Sequence, residues 1–180
     1  MAMRRASAYS KHLRQPFCRK SKKRSKDFVK GAPPVKIVKF FSGNQEAFKQ
    51  GKFDTLVRLC TDEQVQVRDI ALEACRRVII KLLDKKLAGN YYFVITRYPH
   101  HVLRENKQAA VAQADRYFSG MSHAWGKPLC NAVQAKRGMD LFRVWVESKN
   151  IAIAKEALRR AKAKIPGSTS IKIEPLTGSK

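Results

Sequence analysis

The chain has 180 residues and a mass of 20.5 kDa, enough for one domain with a real core and not for two. An apolar fraction of 44% excludes wholesale disorder, and no apolar run approaches the roughly 18 residues of a transmembrane helix. Thirty-eight Lys and Arg against fourteen Asp and Glu leave a net charge of +24, far more than solubility requires, so a polyanionic partner is implied, nucleic acid ahead of a membrane surface.

That charge is uneven. The first thirty residues hold eleven Lys or Arg and one Asp, which makes residues 1–30 more than three times as charge-dense as the rest. Lys20 to Lys26 is too charged and too poor in apolar groups to fold alone, although Tyr9, Leu13, Phe17 and Phe28 are interleaved as anchors. No apolar core follows Arg4-Arg5, as a secretory signal would need. The lack of acids before Asp27 is shared with mitochondrial transit peptides, but Pro16 and the Lys cluster fit an amphipathic helix poorly.

After the turn signal Gly31-Ala32-Pro33-Pro34, one domain is expected over 31–180. Val35 to Phe40 alternates like a strand, residues 42–52 read as a loop, and Thr55 to Cys60 as a second strand. From about Arg68 to Leu87 the pattern is helical, with Ala71, Ala74, Cys75, Val78 and Leu82 on one face and Gly89 as the stop. The start is ambiguous: Thr61 and Gln64 are spaced as a capping box, yet Val65 and Val67 alternate like a strand.

Tyr91 to Tyr98, rich in aromatic and β-branched residues, is a strand ending at Pro99. Residues 99–128 carry no sheet-like pattern, and loops this long are functional or disordered. Ala132 to Lys136 and Leu141 to Val146 flank a turn at Arg137-Gly138-Met139-Asp140, a hairpin signature. Asn150 reads as the cap of a helix to Lys164 that buries Ala154, Ala157, Leu158 and Ala161, and Ser170 to Glu174 is a last strand. The fold class is therefore α+β: an antiparallel or mixed sheet covered on one side by two main helices, with a basic N-terminal extension and a long central loop.

The four cysteines, Cys18, Cys60, Cys75 and Cys130, form no Cys-x-x-Cys pair and have no His at metal-finger spacing. They read as reduced packing residues, with no disulfide, metal or cofactor expected.

Within the long central segment, Tyr98-Pro99-His100-His101-Val102-Leu103-Arg104-Glu105-Asn106-Lys107 resembles the universal ribosomal large-subunit protein sixteen family in its archaeal and eukaryotic form, protein ten-e. Ala114-Asp115-Arg116 with Gly120-Met121 and Gly126-Lys127-Pro128, Ala71 to Ala74, and Ala154 to Lys162 match as well, so the resemblance covers about residues 28–175. It implies a non-enzymatic protein bound to large-subunit rRNA near the central protuberance, helping to form the site for the tRNA acceptor arm close to the peptidyl-transferase centre. It further implies late joining of the particle, neighbouring large-subunit proteins as partners, and a transient assembly or export-adaptor factor, in the cytoplasm and with no membrane.

On that reading the rRNA contacts are Arg4, Arg5, Lys11, Arg14, Arg19, Lys20, Lys22, Lys23, Arg24, Lys26, Arg97, His100, His101, Arg116, Lys127, Arg137, Arg159 and Arg160. A mobile loop at about 104–113, carrying Arg104, Asn106, Lys107, Gln108 and Gln113, faces the tRNA. The N-terminal extension runs into the RNA, with Tyr9 and Phe17 wedging or stacking there. Three departures from the family stand near the loop: Gln113 replaces a Gly, Ser122-His123-Ala124-Trp125 replaces Arg-Gly-Ala-Phe, and Cys130-Asn131 replaces a small Gly-Thr.

Two other classes compete. His100 and His101 beside Arg97 and Arg104 are the parts of a ribonuclease, but neighbours on an extended segment point to opposite sides, so one packs while the other meets RNA. A free RNA- or DNA-condensing protein would need only the charge. Trp125 and Tyr117 are equally suited to base stacking and to packing, whereas Tyr91, Tyr92, Phe93, Phe142 and Trp145 are read as core.

Overall fold

A computed structural model of the chain describes residues 5–11, Ser25, 32–106 and 126–176. Those residues form, in order, β1 (Phe41–Gly43), α1 (Gln45–Lys49), β2 (Thr55–Thr61), β3 (Val65–Arg68), α2 (Asp69–Leu87), β4 (Tyr92–Ile95), β5 (His101–Glu105), β6 (Lys127–Ala135), β7 (Asp140–Val146), α3 (Ile151–Lys162) and β8 (Thr169–Pro175). The strands make two antiparallel sheets, one ordered β1-β4-β7-β2-β8 and the other β3-β6-β5. The α+β class holds, with antiparallel pairing throughout and two sheets in place of one.

The core lies between the helices α2 and α3 and the inner faces of the strands. On α2, Leu72, Cys75, Ile79 and Leu83 are fully buried, each large apolar side chain contributing roughly 1.5–3 kcal/mol by leaving water. Asp69 in its first turn and Lys85 and Lys86 in its last complement the helix dipole. The left-handed residue that ends it is Ala88 (φ 47°), one position before the expected stop at Gly89. On α3, Ala154, Ala157, Leu158 and Ala161 are all fully buried; this run of small residues lets α3 approach α2 closely, and the Cys75 thiol reaches the Ala161 carbonyl at 3.5 Å. Asn150 occupies the N-cap position but makes no capping bond with its side chain, since a 3-10 turn at Ser148–Asn150 leads into the helix.

Of the aromatic strand residues, Phe93 and Phe142 stack in the core with centroids 5.9 Å apart. Tyr92 and the half-buried Trp145 lie on the opposite face of the large sheet, where Phe48 of α1 covers them. The residues expected as a loop over 42–52 thus contain a short helix. Asn44 starts it, its side-chain oxygen accepting from the Ala47 N–H at 2.9 Å.

Three further expectations are overturned and one open alternative is resolved. Val35 to Phe40 belongs to no sheet. It is an extended segment laid on α2, where the Lys36 N–H donates to Asp69 (3.1 Å), the Val38 N–H donates to Glu73 (3.3 Å), and Ile37 turns into the core. The segment 99–128 is not free of strands, because β5 and the start of β6 lie within it and pair from His101–Ala132 to Glu105–Lys127.

The apparent hairpin at 132–146 is a crossover, since β6 pairs with β3 and β5 while β7 pairs with β2 and β4. Its turn is held by Thr61 at the end of β2, whose hydroxyl and backbone bond to Lys136, Gly138 and Met139. The ambiguous start of α2 resolves as a strand, with β3 running directly into the helix at Asp69.

Candidate nucleic-acid interface

Carboxylates decide which cations are free to meet a polyanion, and most acids of the body are engaged internally. Glu73 takes Arg76 through both oxygens (2.7 and 2.6 Å) and Arg77 at 3.2 Å. The Arg76 hydrogen bonds hold its carboxyl below the usual range, and burial opposes them without winning. Asp140 is pushed up by burial, yet bonds from Cys60, Arg143 and Arg58 outweigh that and leave it lowered. Glu156 is shared by Lys86 (2.8 Å) and Arg160 (2.5 Å), Glu147 pairs with Lys149, and Glu174 pairs with Arg58.

Against that pairing, Arg97, Lys127, Arg137 and Arg159 are exposed and enter no ion pair among the described residues. The register of β5 and β6 brings Arg104 beside Pro128 and Glu105 beside Lys127, so Arg104, Asn106 and Lys127 gather where the chain leaves at Asn106 and returns at Gly126. Arg137 lies past the other end of β6, about 30 Å away at the rise of an extended nine-residue strand. Lys11 belongs to that far end, bridging Val65, which in turn faces Ala135. Arg160 is tied to Glu156, while Arg159 on the same helix is open.

The two histidines separate as neighbours on an extended chain must. His100 is exposed, with Nδ1 3.2 Å from the Tyr98 carbonyl, whereas His101 is 1% exposed inside β5. A direct phosphate contact for His101 is therefore excluded by burial, and His100 takes the surface role. Arg5 is exposed in a short 3-10 turn at Ala6–Tyr9.

Tyr9, expected to wedge into RNA, packs instead on the small sheet against Leu103, Cys130 and Ala132, under the Arg68 guanidinium at 5.6 Å. The Gln66 side chain donates to the Tyr9 carbonyl at 2.7 Å, and the Gln66 N–H donates to the Ser10 carbonyl at 2.8 Å. This part of the extension is thus docked on protein. Arg4, Arg14, Arg19, Lys20, Lys22, Lys23, Arg24, Lys26, Lys107, Gln108, Gln113 and Arg116 lie outside the described residues, as do Phe17, Tyr117, Trp125 and Cys18.

The sequence reading missed a second gathering of cations. Lys36, Arg77 and Lys164 line one cleft of about 480 Å³ together with Ile70, Ala74, Val78 and Glu73, the last paired to Arg77. They come from three separate segments, so no local pattern announces them. The departure Cys130-Asn131 is explained by packing: both side chains are buried in β6, and Asn131 Nδ2 donates to the Pro33 carbonyl at 2.8 Å, tying down the start of the body. Cys60, Cys75 and Cys130 are free buried thiols. No helix of the described residues is long and apolar enough to cross a membrane, and no group of three or more metal-ligating acid, Cys or His side chains occurs among them.

Residues 16–172 match the family described as ribosomal protein L16p/L10e. The chain is similar to the large ribosomal subunit protein uL16 of Hyperthermus butylicus, with 39% identity over 98% of this chain and 96% of the relative. It is 42% identical to that of Sulfolobus acidocaldarius over 84% and 85% of the two chains. To that of Archaeoglobus fulgidus it is 39% identical over 91% and 89%.

Proposed function

The chain belongs to the ribosomal protein L16p/L10e family, and from that premise we propose that it is a structural, non-catalytic constituent of the large ribosomal subunit, working in the cytoplasm within the ribosome. The match across 16–172 carries this reading. The body serves as a rigid holder that presents cations to rRNA phosphates. Internal carboxylates neutralise Arg58, Arg76, Arg143 and Arg160, so the charge left for RNA includes Arg5, Lys11, Arg97, Lys127, Arg137 and Arg159, and His100 is exposed as well. The Lys20–Lys26 run adds sequence-independent phosphate contacts.

The finer assignment follows the family. The protein sits near the central protuberance, and the loop beginning at Arg104–Asn106 faces the tRNA acceptor arm close to the peptidyl-transferase centre. It joins late, against neighbouring large-subunit proteins and a transient assembly factor. The paired strand ends at Glu105 and Lys127 support this role, because they launch the loop from a fixed point.

Sedimentation of a cell lysate through sucrose tests the reading. Co-migration with large subunits that survives a moderate salt wash is expected, and a peak at the top of the gradient refutes it. Deleting residues 105–113 should leave the protein on the subunit while impairing tRNA placement or maturation. An unchanged translation rate removes the loop's role.

A further inference from the structure

Three of the five large apolar side chains that stand exposed among the described residues lie on two converging segments: Val38 (67%), Phe41 (56%) and Tyr98 (55%). Val38 and Phe41 line one groove, and Tyr98 stacks on the Phe40 between them, at the outer edge of the large sheet, where β1 pairs with β4 and the Ile95 N–H donates to the Phe40 carbonyl at 2.7 Å. The Phe40 ring packs against the core on one side and carries the Tyr98 ring on the other, 5.6 Å between centroids and 22° from parallel. Tyr98 is thus backed by one ring and open to solvent.

Its backbone is fixed as well. The following residue is the buried Pro99, which restricts Tyr98 to extended geometry, and His100 Nδ1 closes on its carbonyl at 3.2 Å. A groove of about 600 Å³ along residues Val38 to Gly43 adjoins this edge, within the size range of small-ligand clefts, about 300–1,000 Å³.

Charge identifies the occupant. Residues 32–43 and 90–104 contain no Asp or Glu, and they carry Lys36, Lys39, Arg97 and Arg104 besides the two histidines. The acids whose carboxylates bond to these segments are spent internally, Asp69 on the Lys36 backbone, Glu73 on the Val38 backbone and Arg76, and Asp84 on the Tyr91 hydroxyl. A rigid, backed aromatic face on cation-bearing segments, with Lys39 and Arg97 exposed, suits a base and its phosphates, since every base offers a π-face and every nucleotide an anion. The geometry points to a stacking site for one unpaired RNA base on the open face of Tyr98, with Lys39 and Arg97 supplying cations for the flanking phosphates. This rests on the reading that RNA is the partner, and it adds a base-stacking site that the phosphate contacts do not provide.

The test uses the full-length chain and a short single-stranded oligo(U) carrying one 2-aminopurine, whose fluorescence is quenched on stacking, with the matching duplex as control. At salt high enough to suppress purely electrostatic binding, Tyr98→Ala should weaken single-strand affinity about tenfold and reduce quenching. It should leave duplex affinity and the salt slope unchanged, and Tyr98→Phe should restore both binding and quenching.

Unchanged single-strand binding in Tyr98→Ala overturns the proposal and gives the groove to a neighbouring protein. Equal losses on single strand and duplex overturn it too, as general damage. The sucrose gradient keeps the two readings separate: a chain absent from large subunits that still shows the Tyr98 effect fails only the ribosomal reading, and a co-sedimenting chain without that effect fails only this one.

Discussion

The Val38 N–H donates to the Glu73 carboxylate at 3.3 Å, and two residues earlier the Lys36 N–H donates to Asp69 at 3.1 Å. The spacing is not accidental. Four residues of helix advance about 6 Å, and two residues of extended chain advance about 6.6–6.8 Å. A carboxylate at each of two successive turns of α2 can therefore accept from alternate N–H groups of a strand-like segment. Helix side chains do for residues 35–38 what a neighbouring strand would do in a sheet.

Glu73 should accordingly matter more than a surface acid. Its side chain is 9% exposed and that of Arg76 is 14%, so Glu73→Gln leaves a largely buried guanidinium without its anion. The expected loss is about 2–3 kcal/mol in urea unfolding at neutral pH. The pH dependence has a definite sign. Because the folded carboxyl lies below its ordinary value of 4.5, the stabilisation is complete above that value and fades as pH falls through the folded pKa. Glu73→Gln should flatten the stability curve below 4.5, and identical acid slopes in variant and parent would show that the carboxylate contributes nothing.

The three described cysteines should resist alkylation in the native protein. Burial pushes Cys75 up to about 12 and Cys130 up to about 11, and Cys60 reaches about 11 through burial and its hydrogen bond to Asp140. Against an ordinary value of 9.0, a shift to about 11 cuts the thiolate at Cys60 about a hundredfold. Iodoacetamide labelling read peptide by peptide should show all three at least about a hundredfold slower than in denaturant. Rapid labelling of Cys60 in the folded chain would contradict the packing described.

Legibility in the sequence followed locality. α2 and α3 were readable because their stripes repeat at helical spacing within one segment, and all four inward residues expected on α3 are buried. The strand at 35–40 was misread because alternation records which side chains are buried, not what accepts the backbone N–H groups. The 136–139 turn was recognised, but two strands joined by a turn alternate identically whether they pair with each other or enter different sheets; only Thr61, some 75 residues away, decides it. At the candidate site, charge singled out Arg97, Lys127 and Arg159, which stand exposed, whereas Lys36, Arg77 and Lys164 converge only after folding. Tyr9 was misassigned because an aromatic in a basic stretch looks the same whether RNA or protein covers it.

Arg159 and Arg160 offer a comparison between adjacent residues. Arg160 is held by Glu156 at 2.5 Å, and that carboxylate also takes Lys86 from α2, whereas Arg159 is exposed with no ion pair. If exposed cations carry the phosphate contacts, Arg159→Ala should lower the slope of log affinity against log salt by about 1 for large-subunit rRNA. Arg160→Ala should change that slope less, and the Lys86–Glu156 link between α2 and α3 stays in place. Equal slope changes, measured by filter binding across a salt series, would sink the argument from internal neutralisation.

Gly126 stands beside the paired ends of β5 and β6, from which we propose that the tRNA-facing segment is launched. Its φ is +83°, and a Cβ there would sit 2.7 Å from the Glu105 carbonyl carbon and 2.8 Å from the Asn106 nitrogen. Both neighbours are backbone, so neither rotates away, and β5 and β6 close on each other at Glu105–Lys127, immediately beside the glycine. Gly126→Ala adds left-handed strain of about 1–2 kcal/mol to overpacking of about 1–3 kcal/mol. A total loss of about 2–5 kcal/mol is expected if the strand ends stay paired. The cheaper escape is to unzip the last pair, in which case amide exchange at Glu105 and Lys127 should accelerate while α2 and α3 keep their protection. An alanine accepted with unchanged stability and unchanged exchange would mean that this close approach does not hold the strand ends together.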